Sequence, residues 1–311
     1  MISILDTSIS TSNHGDEIIM DACNEYLKEI FKLEDYYTIP WHTKISWNTL
    51  NIINNSELII LSWTNALKSP ILMRPFFKWL SFLFLKNKIV LLWVGWWKYQ
   101  KYIDPFTKII LKYSLSKDYF HSVRDEYTKN KLEELWFNNV INTSCPTLWK
   151  IKNNFLNIPK KEKVIFTLTV YSKDIINDNL LISILQKQYK EVLFWPQQIW
   201  DLEYINKLWA TKDIKILPWN LESYNELLKT WEYDYIWTRL HAWVRALQRW
   251  VRTIIIGIDN RAREISKDIW LYIVERSNLD KLNELIPAII DKKIITNQNN
   301  INKWKVQFNK K

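Results

Sequence analysis

Apolar runs alternate with amphipathic segments along the chain. Ile2 to Leu5 forms a short apolar run, and apolar residues then recur at helical spacing from Ile18 to Ile30. The same order predicts later strands at 57–62, 89–92, 119–123 and 139–142, and helices at 75–85, 105–113 and 125–135. This alternation predicts a parallel sheet covered by helices.

A polar, basic stretch at 151–163 interrupts this rhythm and is the predicted linker. Beyond it the pattern predicts strands at 164–168, 192–195, 214–217, 235–236, 253–257 and 271–274, with helices between them. The predicted domains are 1–150 and 164–311, the second ending in a tail helix. The expected fold class is α/β, with two Rossmann-like, doubly wound domains facing a cleft beyond the carboxyl ends of their strands, where ligands of such sheets bind.

Glycine is scarce and tryptophan abundant. The chain has 3 glycines and 19 tryptophans in 311 residues, whereas glycine usually supplies about 7% of a protein. Several tryptophans stand where a helix or strand gives way to a turn, a place that commonly needs the left-handed backbone of glycine: Trp63, Trp93, Trp136, Trp237, Trp250 and Trp270. We interpret many tryptophans as glycine positions, as would arise if the source uses the codon UGA for glycine and the gene was translated with UGA as tryptophan.

The net charge of +10 suggests acidic partners. The excess is scattered, with concentrations only in "NKWKVQFNKK" and "PKKEK", so a solvated basic surface is favoured over a nucleic-acid footprint and no specific nucleic acid is expected. Cys23 and Cys145 form neither a disulfide framework nor a metal cluster, so no metal is expected.

The start "MISILDTSIS" has no basic segment before its apolar run and predicts a buried strand rather than a secretory signal. The apolar region 75–94 is interrupted by lysines, so a buried helix followed by a strand is expected, not a membrane span. The expected location is the cytoplasm, or the inner face of the membrane.

The stretch "DYIWTRLHAWVRALQRWVR" (234–252) predicts strand, turn and helix, with Thr238 as the helix cap. Arg239 and His241 would then project from the strand end beside a positive helix terminus, which suits an anionic ligand. Trp243, two residues after His241, is expected to crowd this site. Arg124 is a second candidate for the anion; the alternative is a salt bridge at a helix start capped by Asp125.

Two further loops supply candidate ligand contacts. Asn13, His14, Gly15 and Asp16 follow the first strand; the alternative is a capping carboxylate beside a surface histidine. Gln197 follows a later strand, and with Gln198, Trp195 and Asp201 it is assigned to an acceptor side, packing being the alternative.

These loops together resemble one known family. The segments are "SNHGDE", "LLWVGWWKYQ", "HSVRDEYTKNKLEELW", "TSCPTLW", "FTLTVYSKD", "FWPQQIWDLEY", "DYIWTRLHAWVRALQRWV" and "GIDNRAREI". With glycine in place of the doubtful tryptophans the central motif becomes G-T-R-L-H-A-G. The chain resembles the polysaccharide pyruvyltransferases over nearly its whole length. In "DNRAR", Arg261 stands where that family usually has lysine, and with Asp259 it is a predicted substrate contact.

The resemblance implies a GT-B-like fold and a transferase that uses phosphoenolpyruvate as co-substrate, with no other cofactor. A sugar of a cell-surface polysaccharide would receive the pyruvyl group as a ketal, so the acceptor is a glycan or lipid-linked saccharide of exopolysaccharide or cell-envelope assembly, with peripheral membrane association. We assign proton donation to His241 and the donor's anionic groups to Arg239 and Arg124. The alternatives are a GT-B nucleotide-sugar glycosyltransferase and, last, a non-catalytic basic nucleic-acid-binding protein.

Overall fold

The computed structural model describes residues 1–31, 36–62, 65–71, 85–151, 158–269, 272–288 and 294–309. Contacts divide the chain into two compact units. The first comprises residues 1–11, 19–149 and 296–311, and the second comprises residues 12–18 and 150–295. This division differs from the predicted domains in two places, because residues 12–18 group with the second unit and residues 296–311 with the first.

The first part of the chain forms short strands separated by helices. Its strands are β1 (Ile2–Asp6), β2 (Tyr36–Pro40), β3 (Leu58–Leu61), β4 (Ile89–Leu91), β5 (His121–Val123) and β6 (Val140–Asn142). Its helices are α1 (His14–Ile30), α2 (Trp47–Asn55), α3 (Pro105–Ser114) and α4 (Glu126–Glu133), followed by a 3-10 turn at Pro146–Leu148.

Both sheets of the first unit are parallel. One has the order β2-β1-β3-β4, and the other pairs β5 with β6. The core lies against their apolar residues, of which Ile59, Leu61 and Leu91 are fully buried. Asp104 and Asp125 cap α3 and α4 through the backbone amides of Thr107 and Thr128, so the predicted Asp125 cap is present.

The prediction omitted β2 and α2. Two of the five residues of β2 are exposed and α2 buries only Leu50 and Ile53, so neither carries a strong apolar pattern. The predicted helix at 75–85 falls almost entirely outside the described residues.

The second unit is one parallel sheet with its intervening helices. Its strands are β7 (Lys163–Thr167), β8 (Glu191–Phe194), β9 (Lys215–Ile216), β10 (Tyr233–Trp237), β11 (Thr253–Gly257) and β12 (Ile273–Glu275). Its helices are α5 (Ile175–Gln188), α6 (Ile199–Ile205), α7 (Leu221–Lys229), α8 (Leu240–Gln248), α9 (Asn260–Ile269) and α10 (Leu282–Leu285), with 3-10 turns at Val170–Ser172 and Arg276–Lys281.

The strand order of this sheet is β12-β11-β10-β7-β8-β9, and every pair is parallel. All six carboxyl ends therefore meet at one edge, where ligands of open parallel sheets bind. The predicted alternation of strands and helices is confirmed in both units.

The last helix, α11 (Gln298–Val306), packs on the first unit. Trp304 is fully buried and donates from Nε1 to the carbonyl oxygen of Leu91, 3.1 Å away, and Ile301 is also buried. The predicted tail helix is present, but its assignment to the second domain is wrong, because these two side chains complete the core of the first unit beside β4.

Within the described part of the chain, four tryptophans have the left-handed backbone that favours glycine. Their φ angles are 60° at Trp93, 69° at Trp136, 56° at Trp231 and 59° at Trp250. The sequence indicated three of these positions but not Trp231. Trp237 ends β10 and pairs with Thr167, and the predicted positions Trp63 and Trp270 lie outside the described residues.

Candidate active site

The candidate site lies in the second unit, at the carboxyl ends of the neighbouring strands β11, β10, β7 and β8. Residues from each of the four following loops contact one another there. Tyr171 follows β7, Asp201 follows β8, Arg239 follows β10 and Arg261 follows β11.

Arg239 is held by acceptors from two loops. It is 3% exposed, and its Nε donates to the carbonyl oxygen of Leu168 at 3.0 Å. Its Nη2 donates to Oε1 of Gln198 at 3.2 Å and forms a buried salt bridge with Asp201. The Nη1 group has no acceptor among the described residues, so it can donate to a ligand.

Asp201 joins three segments. One oxygen accepts from Arg239 and from the amide of Val170, and the other accepts from the amide of Gln198 at 2.9 Å. Burial raises the pKa of Asp201, and the charge of Arg239 opposes that change. Because the carboxylate is fully buried, removal of either partner of this salt bridge would leave an uncompensated charge.

A second guanidinium also lies close to the Tyr171 ring. The guanidinium carbons of Arg239 and Arg261 lie 5.2 and 5.5 Å from its centroid. Arg261 donates from Nε and Nη2 to Asp259 and from Nη2 to the Tyr171 hydroxyl, while Tyr171 donates to Asp259. As in Arg239, the Nη1 group of Arg261 meets no acceptor within the described part of the chain.

Gly15 lies where three polar side chains converge. A Cβ at Gly15 would come within 2.5 Å of Nε2 of Gln197, 3.1 Å of Oδ1 of Asn13 and 3.1 Å of Nδ1 of His241. Gln197 donates to Asn13 at 2.8 Å, and the Gly15 amide donates to the same oxygen. The absence of a side chain at Gly15 therefore allows the imidazole of His241 to approach the two amides.

The remaining predicted residues of the first loop lie at the start of α1. The amide of His14 donates to the carbonyl oxygen of Gln197, and its ring packs near the indoles of Trp195 and Trp219 with its Nδ1 3.0 Å from Glu17. Asp16 is buried, and its amide donates to the carbonyl oxygen of Asn13.

Two predictions about α8 are wrong. Thr238 is not the cap; its hydroxyl bonds Thr169, and Arg239 takes the cap position without a side-chain hydrogen bond to the helix. Trp243 does not point toward the strand ends. Its indole is fully buried and donates to Thr253, at the start of β11, which is the opposite end of the sheet.

Arg124 belongs to the first unit, after β5. Its guanidinium is fully buried and forms a salt bridge with Asp125, with Nε and Oδ2 2.7 Å apart, and it also bonds Asn65 and the carbonyl oxygen of Trp96. This is the salt-bridged helix start that the sequence offered as the alternative. A role for Arg124 in binding the donor stays a prediction.

Both cysteines are buried. Burial raises the pKa of the Cys145 thiol to about 12, so it is uncharged at neutral pH and a weak nucleophile. Over the described ranges there is no group of three or more His, Cys, Asp or Glu side chains suited to hold a metal ion. Nor is any helix there both long enough and apolar enough to cross a bilayer.

Tyr171 was not among the residues predicted from the sequence, although it lies in the segment "FTLTVYSKD" that contributes to the family resemblance. The prediction also placed Asp201 on an acceptor side, whereas the structure puts this carboxylate on Arg239. These contacts depend on the strand order, which places β7 between β10 and β8 and cannot be derived from the local sequence pattern.

Comparison with known proteins identifies the fold and the family. The chain aligns over 99% of its length with UDP-GlcNAc 2-epimerase from Methanocaldococcus jannaschii, covering 97% of that chain at 13% identity and a TM-score of 0.56. It aligns over 98% with S. aureus MnaA, covering 90% of that chain at 10% identity and a TM-score of 0.58. The predicted GT-B-like fold class is thereby confirmed. No curated protein sequence matches the chain significantly.

The family model for polysaccharide pyruvyl transferase matches residues 13–305. This range contains the whole second-unit site, from Asn13 to Arg261. The chain therefore belongs to the polysaccharide pyruvyl transferase family.

Proposed function

We propose that this transferase moves the pyruvyl group of phosphoenolpyruvate onto two hydroxyls of a glycan, forming a ketal and releasing inorganic phosphate. The observation that carries the proposal is the pair of guanidiniums beside Tyr171. Each is held by a carboxylate, and the Nη1 group of each has no hydrogen-bond acceptor among the described residues. Together they offer four N–H donors, which suits a ligand with two anionic groups.

The salt bridges decide how such a ligand would bind. Asp201 and Asp259 offset the charge of Arg239 and Arg261 and hold both side chains in place. Binding would then depend on oriented hydrogen bonds and on the start of α8, which lacks a side-chain cap and presents its first amides at the same edge. The donor's phosphate and carboxylate are the groups these donors fit.

The chemistry requires one proton donor at carbon. His241 would protonate the methylene carbon of phosphoenolpyruvate, leaving a cation at the carbon that bears the phosphate. A sugar hydroxyl adds there and loses its proton. The bond to phosphate then breaks, inorganic phosphate departs with one proton, and the second hydroxyl adds and returns a proton to His241. The sum is one donor and two hydroxyls giving one ketal and one phosphate.

The amides of Asn13 and Gln197 lie beside His241 and suit the hydroxyls of the acceptor. We assign them to the glycan, a saccharide of exopolysaccharide or cell-envelope assembly. If the saccharide is lipid-linked, the enzyme works in the cytoplasm, at the inner face of the membrane.

Thermal stabilisation by ligand tests the donor. A ligand present at a hundred times its Kd and bound only by the folded protein adds about 2.7 kcal/mol. Phosphoenolpyruvate should raise the midpoint, and Arg239→Ala should abolish the rise, whereas Arg249→Ala, an exposed arginine just past α8, should keep it. A rise with UDP-GlcNAc and none with phosphoenolpyruvate would instead indicate a nucleotide-sugar enzyme.

His241→Ala separates chemistry from binding. Loss of a general acid typically lowers turnover by about 10²–10⁴-fold, so phosphate release in the presence of acceptor should fall by that factor while phosphoenolpyruvate still stabilises the variant. Near-normal turnover would remove His241 from the mechanism.

A further inference from the structure

One surface of the first unit exposes large apolar side chains within sixteen consecutive residues, 97–112. We call it the aromatic–lysine surface. Its apolar members are Trp97, Tyr99, Tyr102, Phe106 and Ile109, and their exposed fractions run from 43% at Trp97 to 66% at Tyr102 and Phe106. Single exposed apolar residues are ordinary, but five in so short a segment indicate an interaction site.

Tyr99 packs edge-on against Tyr127, but the exposed apolar side chains on helix α3 lie outside the core. Helix α3 buries Ile110 and Leu111 in the core and presents Phe106 and Ile109, three residues apart, to solvent. The loop before it is fixed from inside: Gln100 accepts from the amide of Ser69 at 3.0 Å and its own amide donates to the Tyr127 hydroxyl. An ordered backbone therefore holds the exposed rings outward.

Lysines are interleaved with these rings. Lys98, Lys101, Lys108 and Lys112 are all exposed, and none forms a salt bridge with another described residue. The one acidic residue of the segment, Asp104, is bonded to Ser69 and Thr107 as the cap of α3. Lys98 and Lys68 lie 5.1 and 4.8 Å from the Trp97 ring centroid. The surface is therefore cationic as well as apolar.

We propose that the aromatic–lysine surface binds the anionic face of a lipid bilayer. Aromatic rings lie at the level of lipid headgroups, and lysine stems reach from there to phosphate. Ile109 favours a bilayer over nucleic acid, because an aliphatic side chain neither stacks on bases nor bonds phosphate, whereas Phe106 and Ile109 both gain by entering an acyl boundary. The inference deepens the proposed function, on which its place at the inner face of the membrane rests, by naming the surface of the first unit that would hold the protein there; its test does not depend on the donor site.

Vesicle co-sedimentation of the whole chain tests this. With phosphatidylglycerol-containing vesicles in 0.1 M salt the protein should sediment, and it should stay in the supernatant with phosphatidylcholine alone. Each lysine near an anionic surface contributes about a fivefold change in affinity. Replacing Lys98 and Lys101 by Gln should therefore weaken binding about 25-fold, whereas replacing the exposed Lys207 and Lys212 of the second unit should change it less than twofold.

The aromatic side is tested with Tyr102→Ser and Phe106→Ser together. This variant should lose vesicle binding more than tenfold, while Tyr37→Ser with Ile176→Ser, at similarly exposed positions, should not. Both variants should keep their midpoint shift with phosphoenolpyruvate, so failure of this proposal is distinguishable from failure of the donor site. The proposal would be overturned if the two double variants bound vesicles equally well, or if the wild type sedimented with neither kind of vesicle. It would also be overturned if the wild type bound an oligonucleotide and the variant with Tyr102→Ser and Phe106→Ser bound it equally well.

Discussion

Three solvent-exposed tryptophans hold a backbone conformation that costs any residue with a Cβ. Trp136, Trp231 and Trp250 have φ angles of 69°, 56° and 59°, and their exposed fractions are 83%, 62% and 49%. Exposure at this level means that the indole contributes little burial to offset the cost. Trp136 and Trp250 lie just past α4 and α8, where helices commonly end with a left-handed glycine.

Glycine at these positions should stabilise the protein. The left-handed conformation costs a residue with a Cβ roughly 1–2 kcal/mol, and substitution by glycine removes this cost. Part of the stability gained is lost again, because glycine has greater conformational freedom in the unfolded chain. We expect Trp136→Gly or Trp250→Gly to raise the free energy of unfolding by about 1 kcal/mol, measured by urea titration. The matched control is alanine at the same positions, which keeps the Cβ and should give no gain. Equal effects of glycine and alanine would contradict the argument.

The codons test the same hypothesis independently. If these tryptophans stand for glycine, the gene should carry TGA and not TGG at Trp136, Trp231 and Trp250. Trp243 differs from these exposed tryptophans in the protein with the present sequence, because its buried indole fills space between α8 and β11. Removing it should cost several kcal/mol, as a cavity does.

His121 gives the fold a pH dependence. It is fully buried, accepts from the amide of Leu91 at Nδ1 and donates from Nε2 to the carbonyl oxygen of Ser116, so the neutral ring satisfies both contacts. Burial lowers the pKa of His121 from 6.5 to about 4. The unfolded state therefore binds this proton first, and the stability present above about pH 6.5 is lost as pH falls toward 4.

The expected loss between pH 7 and pH 4.5 is about 2 kcal/mol. Urea unfolding at both values, for the wild type and His121→Gln, measures it. Glutamine can still accept and donate but does not titrate, so the wild type should lose about 2 kcal/mol more than the variant. The difference between the two proteins isolates His121 from the carboxylates, and parallel pH profiles would count against the assignment.

At the scale of elements, the chain's periodicity located the strand ends well and the contacts between them poorly. The stretch 234–252 predicted strand, turn and helix, and β10 and α8 follow that prediction. The edge carrying Arg239 and His241 was thus predictable. Tyr171 and the true partner of Asp201 were not, because they depend on β7 lying between β10 and β8, an order that no local pattern specifies.

The junction of α1 with the loop after β8 depends on a missing side chain. A methyl group at Gly15 would meet Nε2 of Gln197 at 2.5 Å and Nδ1 of His241 at 3.1 Å. Gly15→Ala should displace the Gln197 amide, break its 2.8 Å bond to Asn13 and shift the imidazole. Small displacements of a catalytic group are costly, so turnover should fall about 10²-fold.

The comparison variant is Gly257→Ala, at the end of β11, where the closest atom to a new Cβ is a flexible methyl of Ile273. It should lose stability without a comparable loss of turnover per folded molecule. Midpoint shifts with phosphoenolpyruvate check that the donor still binds in both variants. Full turnover in Gly15→Ala would show that the close approach has no functional consequence.

At the scale of the whole molecule, the chain leaves the first unit after residue 149 and rejoins it at residue 296. The returning helix α11 supplies core residues that the first 149 residues lack. Gln307 adds a pair of hydrogen bonds to the backbone of Phe120. The sequence predicted this helix as part of the second domain, because segments that are adjacent in sequence usually belong to the same domain. The contact of Trp304 with the first unit is a tertiary contact that no local pattern predicts.

The first unit should therefore depend on its last helix. Trp304→Ala removes a fully buried indole and its hydrogen bond to Leu91, and truncations of this size cost about 3–5 kcal/mol. Val306→Ala lies on the same helix, but Val306 is 53% exposed, so it should stay within about 0.5 kcal/mol of the wild type. Urea titration of both variants measures the difference. Since Trp304 is outside the second unit, the folded variant should still be stabilised by phosphoenolpyruvate. Similar unfolding midpoints for the two variants would mean that α11 does not complete the core, because truncating a core residue should lower the free energy of unfolding far more than truncating a surface residue.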